Sequence, residues 1–397
     1  MSMEVFNMAE FNRVHHRKAT HSLKWDNVQS VFHTDDILPM WVADMDFKAP
    51  QAVNEALKQR AEHGIYGYTV IDDSIRTNVT KWIEQQHHWQ IAVNDLVFSP
   101  GVITSLYAAI HTFTNPGDRI LLQTPVYTPF FHLIEKSQRE IVENELVYNG
   151  QSYEIDFNHL ETQLKRGVKA MMLCSPHNPV GRVWTKEELT KVAELCLQYD
   201  VLILSDEIHA DLTFKGHTHT PIASLSERIS EQTITFMSPT KTFNLAGLQA
   251  SYMVIQDTKK KIALQNELGQ QGFNMLNTMG VLALDAAYQF GLPWLEELLD
   301  VIEANKNYAI QRLENETNHS ITIIRSEGTY LLWMDCHNLS LTDQELQQFM
   351  IETAKVGLNA GSSYGNAGEQ FMRMNIACPH STLEEGIDRI VHAINNL

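Results

Sequence analysis

KAMMLCSPHNPVG at 169–181, VLILSDEIHADL at 201–212 and TITFMSPTKTFN at 233–244 decide the fold. Each opens on a near-continuous apolar run that breaks into a polar, turn-rich stretch. A strand covered on both faces does not alternate polar with apolar residues, so such runs predict inner strands of a parallel sheet. Working outward, DLVFS (95–99), RILLQ (119–123) and QASYMVI (249–255) supply three more strands. Helical patterns lie between them. Ile103, Leu106, Ile110 and Phe113 share one face of a helix ended by Asn115-Pro116-Gly117, and Thr185 with Glu188 makes a capping box for a helix running to Tyr199. This alternation predicts an α/β fold, a mainly parallel sheet with helices on both faces.

The pattern changes after about residue 290. A long helix at 293–317 is followed by strands at 320–325 and 330–335 and a helix opened by Thr342 and Glu345. A strand at 370–377 comes next, and a last helix opens at Ser381 and Glu384. This predicts a smaller α+β domain over 291–397 and a large domain over 49–290. The segment 1–48 is too short to fold alone and is expected to pack on the small domain or on a partner subunit. At roughly 150 residues per domain, a chain of 397 residues suits such a division.

Composition excludes several classes. Thirty Lys and Arg against 48 Asp and Glu leave a net charge of −18, which argues against nucleic acid or an anionic membrane as partner. No stretch approaches the roughly 18 apolar residues of a membrane span, and the first residues lack the apolar centre of a signal peptide. The four cysteines form no C-x-x-C pair, so neither a zinc site nor a disulfide framework is expected. A cytoplasmic protein with reduced thiols follows, Cys196 being a core residue of the helix that starts at Thr185.

Ligands of open α/β sheets sit beyond the carboxyl ends of the strands. Asn178, Asp206 and Lys241 each follow an apolar run, at separations of 28 and 35 residues, about one strand–helix–strand unit each. Alone, each is an ordinary turn residue. Together they match a pyridine ring used as an electron sink, which needs an Asp on its ring nitrogen and a Lys that holds its aldehyde as a Schiff base. Ser238 and Thr240 flank the lysine and can bond phosphate oxygens. Ser99-Pro100-Gly101-Val102-Ile103 reads as strand, turn and helix start, where free N–H groups favour an anion, although an ordinary turn reads the same. Tyr127 in TPVYTPF could stack on a ring, or belong to the core. Arg373, in QFMRMNIA, could grip a carboxylate with its two-pronged donor, although a basic residue in such a strand is more often a surface charge.

SPGVITSL, LLQTPVYTPF, SPHNPVGRVW, LSDEIHADL, SPTKTFNLAGLQ and FMRMNIA resemble, in order over nearly the whole chain, the fold type I pyridoxal-phosphate enzymes of aminotransferase class I/II. ILPMWVADMDFKAP and GIYGYT resemble their cystathionine β-lyase and cysteine C–S lyase branch. The resemblance implies an aspartate-aminotransferase-like large domain that binds pyridoxal 5'-phosphate and a homodimer with active sites at the interface. It makes Lys241 the Schiff-base lysine, Asp206 the partner of the ring nitrogen and Asn178 the donor to the phenolic oxygen. Tyr127 becomes the stacking ring, Ser238 and Thr240 with Gly101, Val102 and Ile103 the phosphate site, and Arg373 the group that holds the substrate carboxylate. Tyr66 would reach the neighbouring subunit's cofactor, and Tyr66 and Asn178 would also touch the substrate. Two positions depart from the common aminotransferase pattern: His209 stands where a Tyr binds the phenolic oxygen, and Gln249 where an Arg or Lys meets the phosphate. Both departures are familiar in the lyase branch. The implied reaction is cleavage of L-cystathionine or another S-substituted L-cysteine to pyruvate, ammonia and a thiol, with transamination as the alternative.

Three other motifs compete with this reading. Ser238-Pro-Thr-Lys241 fits S-x-x-K but lacks the companion S-D-N and K-T-G. Gly361-Ser-Ser-Tyr-Gly365 fits G-x-S-x-G without a following helix, and is expected to be a flexible loop. His209, His217 and His219 are expected to mark a polar loop and hold no metal.

Overall fold

The computed structural model describes residues 10–397. Seven strands form the central sheet: β1 (Leu96–Ser99), β2 (Arg119–Leu122), β3 (Glu140–Glu143), β4 (Val168–Cys174), β5 (Leu202–Asp206), β6 (Thr233–Met237) and β7 (Ser251–Val254). Their spatial order is β1-β7-β6-β5-β4-β2-β3. Only β7 runs antiparallel to its neighbours, so the other six point their carboxyl ends to one edge.

The inner strands are apolar because both faces are covered. Leu121, Met171, Leu173 and Ile203 join one cluster with Leu189, Val192 and Cys196 of the helix Lys186–Gln198. Ile120, Leu122, Met172 and Leu204 join another with Leu106 and Ile110 of the helix Val102–Phe113. Each such Leu, Ile or Met stabilises the fold by roughly 1.5–3 kcal/mol relative to an exposed one. The Thr185–Glu188 capping box is formed on both sides, Glu188 N–H to Thr185 Oγ1 at 3.2 Å and Thr185 N–H to Glu188 Oε2 at 2.8 Å. Strand β3 is absent from the sequence expectation. It is an edge strand, EIVE, in which only Val142 is buried, too short an alternation to register.

A second, antiparallel sheet has the order β8-β9-β11-β10, from β8 (Thr322–Ile323), β9 (Leu331–Asp335), β10 (Asn359–Ala360) and β11 (Phe371–Asn375). The helices Leu292–Glu316 and His380–Asn395 pack on each other and into its core. The expected opening of the last helix at Ser381 and Glu384 is corrected. Pro379 is the cap, in extended conformation with no side-chain bond, so Ser381 lies inside the first turn and cannot cap it.

One apolar cluster crosses position 290: Val53, Trp82 and Leu284 belong with Leu331, Met374 and Ile387. Phe11, Met40, Met45 and Phe47 enter the same cluster, and Leu38 and Pro39 pair in parallel with Val356 and Gly357. A buried ion cluster fixes this early segment. Lys24 Nζ meets Asp46 Oδ2 at 2.6 Å, Arg17 meets both Asp44 and Asp46, and Trp25 Nε1 donates to Asp46. Burial alone would raise the Asp46 carboxyl, yet Lys24 beside it holds it below the ordinary carboxylate range.

Candidate active site

The carboxyl ends of β4, β5 and β6 lie side by side, and each delivers one polar residue. Asp206 is the last residue of β5 and is 4% exposed. Its Oδ1 accepts the Ile208 N–H at 3.1 Å, and among the described residues no cation lies within ion-pair distance. Burial pushes its carboxyl up to about 7, although the Ile208 N–H and the Lys241 charge pull it down. A buried carboxylate without a counter-charge is costly and points to a cationic ligand group.

Ser238 directly follows β6 and caps the single turn Pro239–Thr242. Its hydroxyl accepts the Thr240 N–H at 3.1 Å, donates to the Ala250 carbonyl at 2.7 Å and lies 2.7 Å from Thr240 Oγ1. That turn aims Lys241 inward, where Nζ donates to the Ala43 carbonyl at 2.6 Å. Burial, then the Arg373 charge, lowers the amine to about 8, so a nucleophilic neutral fraction exists near neutral pH. Ala250 precedes Ser251, which pairs with Ser99 at the end of β1. The hydroxyls of Ser238 and Thr240 and the start of the helix Val102–Phe113 therefore occupy neighbouring strand ends. Gly101 caps that helix with no side-chain bond, leaving the first N–H groups free for an anion.

Asn178 follows β4 in a loop held against the second sheet. Gly181 has φ +74°, and a Cβ there would lie 2.5 Å from that of Ser326, so only glycine fits. Arg182 bonds Glu327 and Glu188, both at 2.9 Å, and His177 Nε2 donates to the Pro125 carbonyl at 2.8 Å. So anchored, Asn178 Oδ1 accepts from Arg373 Nη1 at 3.2 Å. Arg373 sits within the second sheet, paired on both sides, and is 3% exposed. Nη2 donates to the Trp41 carbonyl at 2.7 Å, Nε has no partner, and among the described residues no carboxylate lies within ion-pair distance. A buried guanidinium whose acceptors are neutral suits an anionic ligand group.

His209 is buried with Nδ1 unpartnered, and burial followed by the Lys241 and Arg373 charges lowers it to about 3. It is neutral. Tyr127 is pushed up to about 12 by burial and by Asp206, so its phenol keeps its proton. The structure does not bring Tyr66 into this chain's site. It is 58% exposed, its hydroxyl 3.3 Å from the Ala61 carbonyl. Gln249 is exposed, at φ +51°.

Sequence reasoning missed the floor formed by the backbone of 41–47. The Ala43 carbonyl accepts from Lys241 and from the Tyr330 hydroxyl at 2.9 Å. Asn375 Nδ2 donates to the Val42 and Asp44 carbonyls, and Asn244 Nδ2 to those of Met45 and Phe47. The available signal was two asparagines, three residues after Lys241 and two after Arg373, inside otherwise apolar stretches.

The other motifs resolve plainly. Ser238 caps a turn at a strand end and has no lysine partner. The expected flexible loop at 361–365 is corrected, because Gly361–Tyr364 and Asn366–Gly368 are 3₁₀ turns closed by backbone contact between Gly361 and Gly368. The expected polar loop of histidines is corrected too. His219 is buried with Nε2 2.8 Å from Glu207 Oε2, and His209 lies in the site, so only His217 is exposed. Among the described residues no three His, Cys, Asp or Glu are grouped to hold a metal, and no helix is long and apolar enough to cross a membrane.

A buried carboxylate without a cationic partner, a low-pKa lysine, a helix start with hydroxyls and a buried guanidinium without an acidic partner complement a ring nitrogen, an aldehyde, a phosphate and a carboxylate. Fold and site together define a pyridoxal-phosphate type of α/β enzyme. The chain belongs to the aminotransferase class I and II family, whose pattern matches residues 35–390. It is 45% identical over 386 residues to the cystathionine beta-lyase PatB of Bacillus subtilis, across 97% of this chain and all of that protein. A PLP-bound putative aminotransferase from Clostridium difficile 630 superposes with a TM-score of 0.95 at 42% identity, covering 97% of this chain and 99% of that one. Cystalysin from Treponema denticola, crystallised with pyridoxal 5'-phosphate, does so with 0.95 at 34%, covering 99% and 100%.

Proposed function

We propose that this chain is a pyridoxal-phosphate-dependent carbon–sulfur β-lyase that converts L-cystathionine or another S-substituted L-cysteine, with water, to pyruvate, ammonia and a thiol. The observation that carries the chemistry is the buried, uncompensated Asp206 beside the low-pKa amine of Lys241. The full-length likeness to a cystathionine beta-lyase supports the choice of reaction. In this reading Asp206 holds the ring nitrogen, Lys241 the aldehyde, Asn178 and His209 the phenolic oxygen, and Tyr127 a ring face. Gly101, Val102, Ile103, Ser238 and Thr240 hold the phosphate.

When bound, the cofactor supplies an electron sink for negative charge at the substrate Cα. The chain's own groups do the rest. Arg373 grips the α-carboxylate, which sets Cα within reach of Lys241 Nζ. That amine, free and unprotonated, takes the Cα proton. The Ala43 carbonyl, itself held with the Tyr330 hydroxyl, keeps Nζ pointed at the site.

Holoenzyme mixed with L-cystathionine and no keto acid should release pyruvate and thiol in equal amounts. Turnover only after an acceptor keto acid is added would overturn the lyase in favour of an aminotransferase.

The working unit in this proposal is a homodimer in which Tyr66 enters the partner's site. Tyr66 stands in an exposed apolar strip with Ile65, Tyr68, Val70 and Met275, more than a lone monomer needs to show water. Mixed subunits test it. Lys241→Ala and Tyr66→Ala chains, each nearly inactive, should regain about a quarter of wild-type activity when unfolded and refolded together, because half the dimers then carry one intact site. No recovery, or sedimentation at the 45.3 kDa of one chain, would reject it. A cytoplasmic setting fits four cysteines that are all free and buried, and cell fractionation is its check.

A further inference from the structure

Arg373 raises a physical problem. A guanidinium so buried needs its charge offset, yet an ion-pair partner would occupy the very edge that a substrate carboxylate must meet. The two acceptors it has, the Asn178 side chain and the Trp41 carbonyl, are neutral. An aromatic face lies against it as well: the Arg373 guanidinium carbon is 5.2 Å from the centre of the Tyr364 ring.

Tyr364 is held there from several sides. It is 1% exposed and lies in the 361–368 loop. Its hydroxyl accepts from Asn359 Nδ2 at 2.9 Å, and its ring meets Trp333 at 5.4 Å and 76°. Asn359 and Trp333 are the two residues directly opposite Arg373 on the neighbouring strands. The same loop docks on the segment that carries Tyr127: Val126 N–H donates to the Tyr364 carbonyl at 2.9 Å, and the Thr128 hydroxyl to the Ser363 carbonyl at 2.7 Å.

We propose that Tyr364 is the positioning residue for Arg373, its ring face stabilising the guanidinium charge while leaving the N–H edge free for the substrate carboxylate. The inference rests on the reading of Arg373 as the carboxylate group. A ring quadrupole acts on the flat face of the cation and takes up none of its in-plane N–H groups, so attraction and vacancy coexist.

The test uses holoenzyme and L-cystathionine, reading KM, kcat and the visible absorbance of the bound cofactor. Tyr364→Phe keeps the ring and should leave KM within about twofold. Tyr364→Leu should raise KM about five- to thirtyfold, the change that ~1–2 kcal/mol gives at 1.4 kcal/mol per tenfold, with kcat and absorbance little altered. Should the Leu protein not fold, phenylalanines carrying one, two and three fluorines at 364 preserve the shape while weakening the ring's negative face. KM should then climb with each fluorine. A flat series, an unchanged KM in the Leu protein, or equal damage from Phe and Leu overturns the proposal. Arg373→Ala separates the two readings. If it leaves KM unchanged, the assignment of Arg373 fails; if it raises KM while the Tyr364 series is flat, only the role of Tyr364 fails.

Discussion

Lys241→Ala protein, incubated with pyridoxal phosphate and freed of excess, should lack the visible absorbance of lysine-bound cofactor and lose at least about 10⁴-fold in kcat with L-cystathionine. Two functions leave together. Nζ is the only amine that the Pro239–Thr242 turn aims into the site, and in the proposed reaction it is also the base that takes the Cα proton. Alanine keeps the turn, because the Ser238 cap and the Thr242 hydroxyl bonded to Asp211 Oδ2 at 2.7 Å do not involve the lysine side chain. Melting near the wild-type temperature with absorbance and activity gone is the expected pattern. Retention of both would remove Lys241 from the chemistry.

Asp206→Asn should cost on the order of 10²–10³ in kcat/KM, the scale of losing one preorganised electrostatic group in a buried site. The carboxamide has the carboxylate's shape and can still accept the Ile208 N–H. It cannot carry the negative charge that keeps a ring nitrogen protonated. The native protein places that charge at a cost, since burial raises Asp206 to about 7. Removing it should leave folding stability equal or higher while lowering cofactor affinity. Equilibrium dialysis with pyridoxal phosphate, alongside thermal melting, separates these effects. A kcat/KM within tenfold of wild type would argue that no cation sits on Asp206.

Much of this arrangement was legible along the chain. An inner strand must be apolar on both faces, so KAMMLC, VLILS and TITFM stand out, and the polar stretch that closes or follows each run lies at the carboxyl edge of the sheet by necessity. Asn178, Asp206 and Lys241 could be picked out on that ground. The edge strand at Glu140–Glu143 could not, having one buried residue, and neither could the packed turns at 361–368, whose glycines read equally well as flexibility.

Local patterning therefore settled the class of fold and the three strand-end residues, because periodicity, capping and apolar runs act over a few residues. Folding in three dimensions decided the rest. It inserted β7 between β1 and β6, laid the 41–47 backbone beneath residues some 200 and 330 positions away, and set a tyrosine ring under Arg373. Every residue carries a carbonyl, so nothing in a sequence marks the two at Trp41 and Ala43 that meet Arg373 and Lys241; only the packing of distant segments selects them.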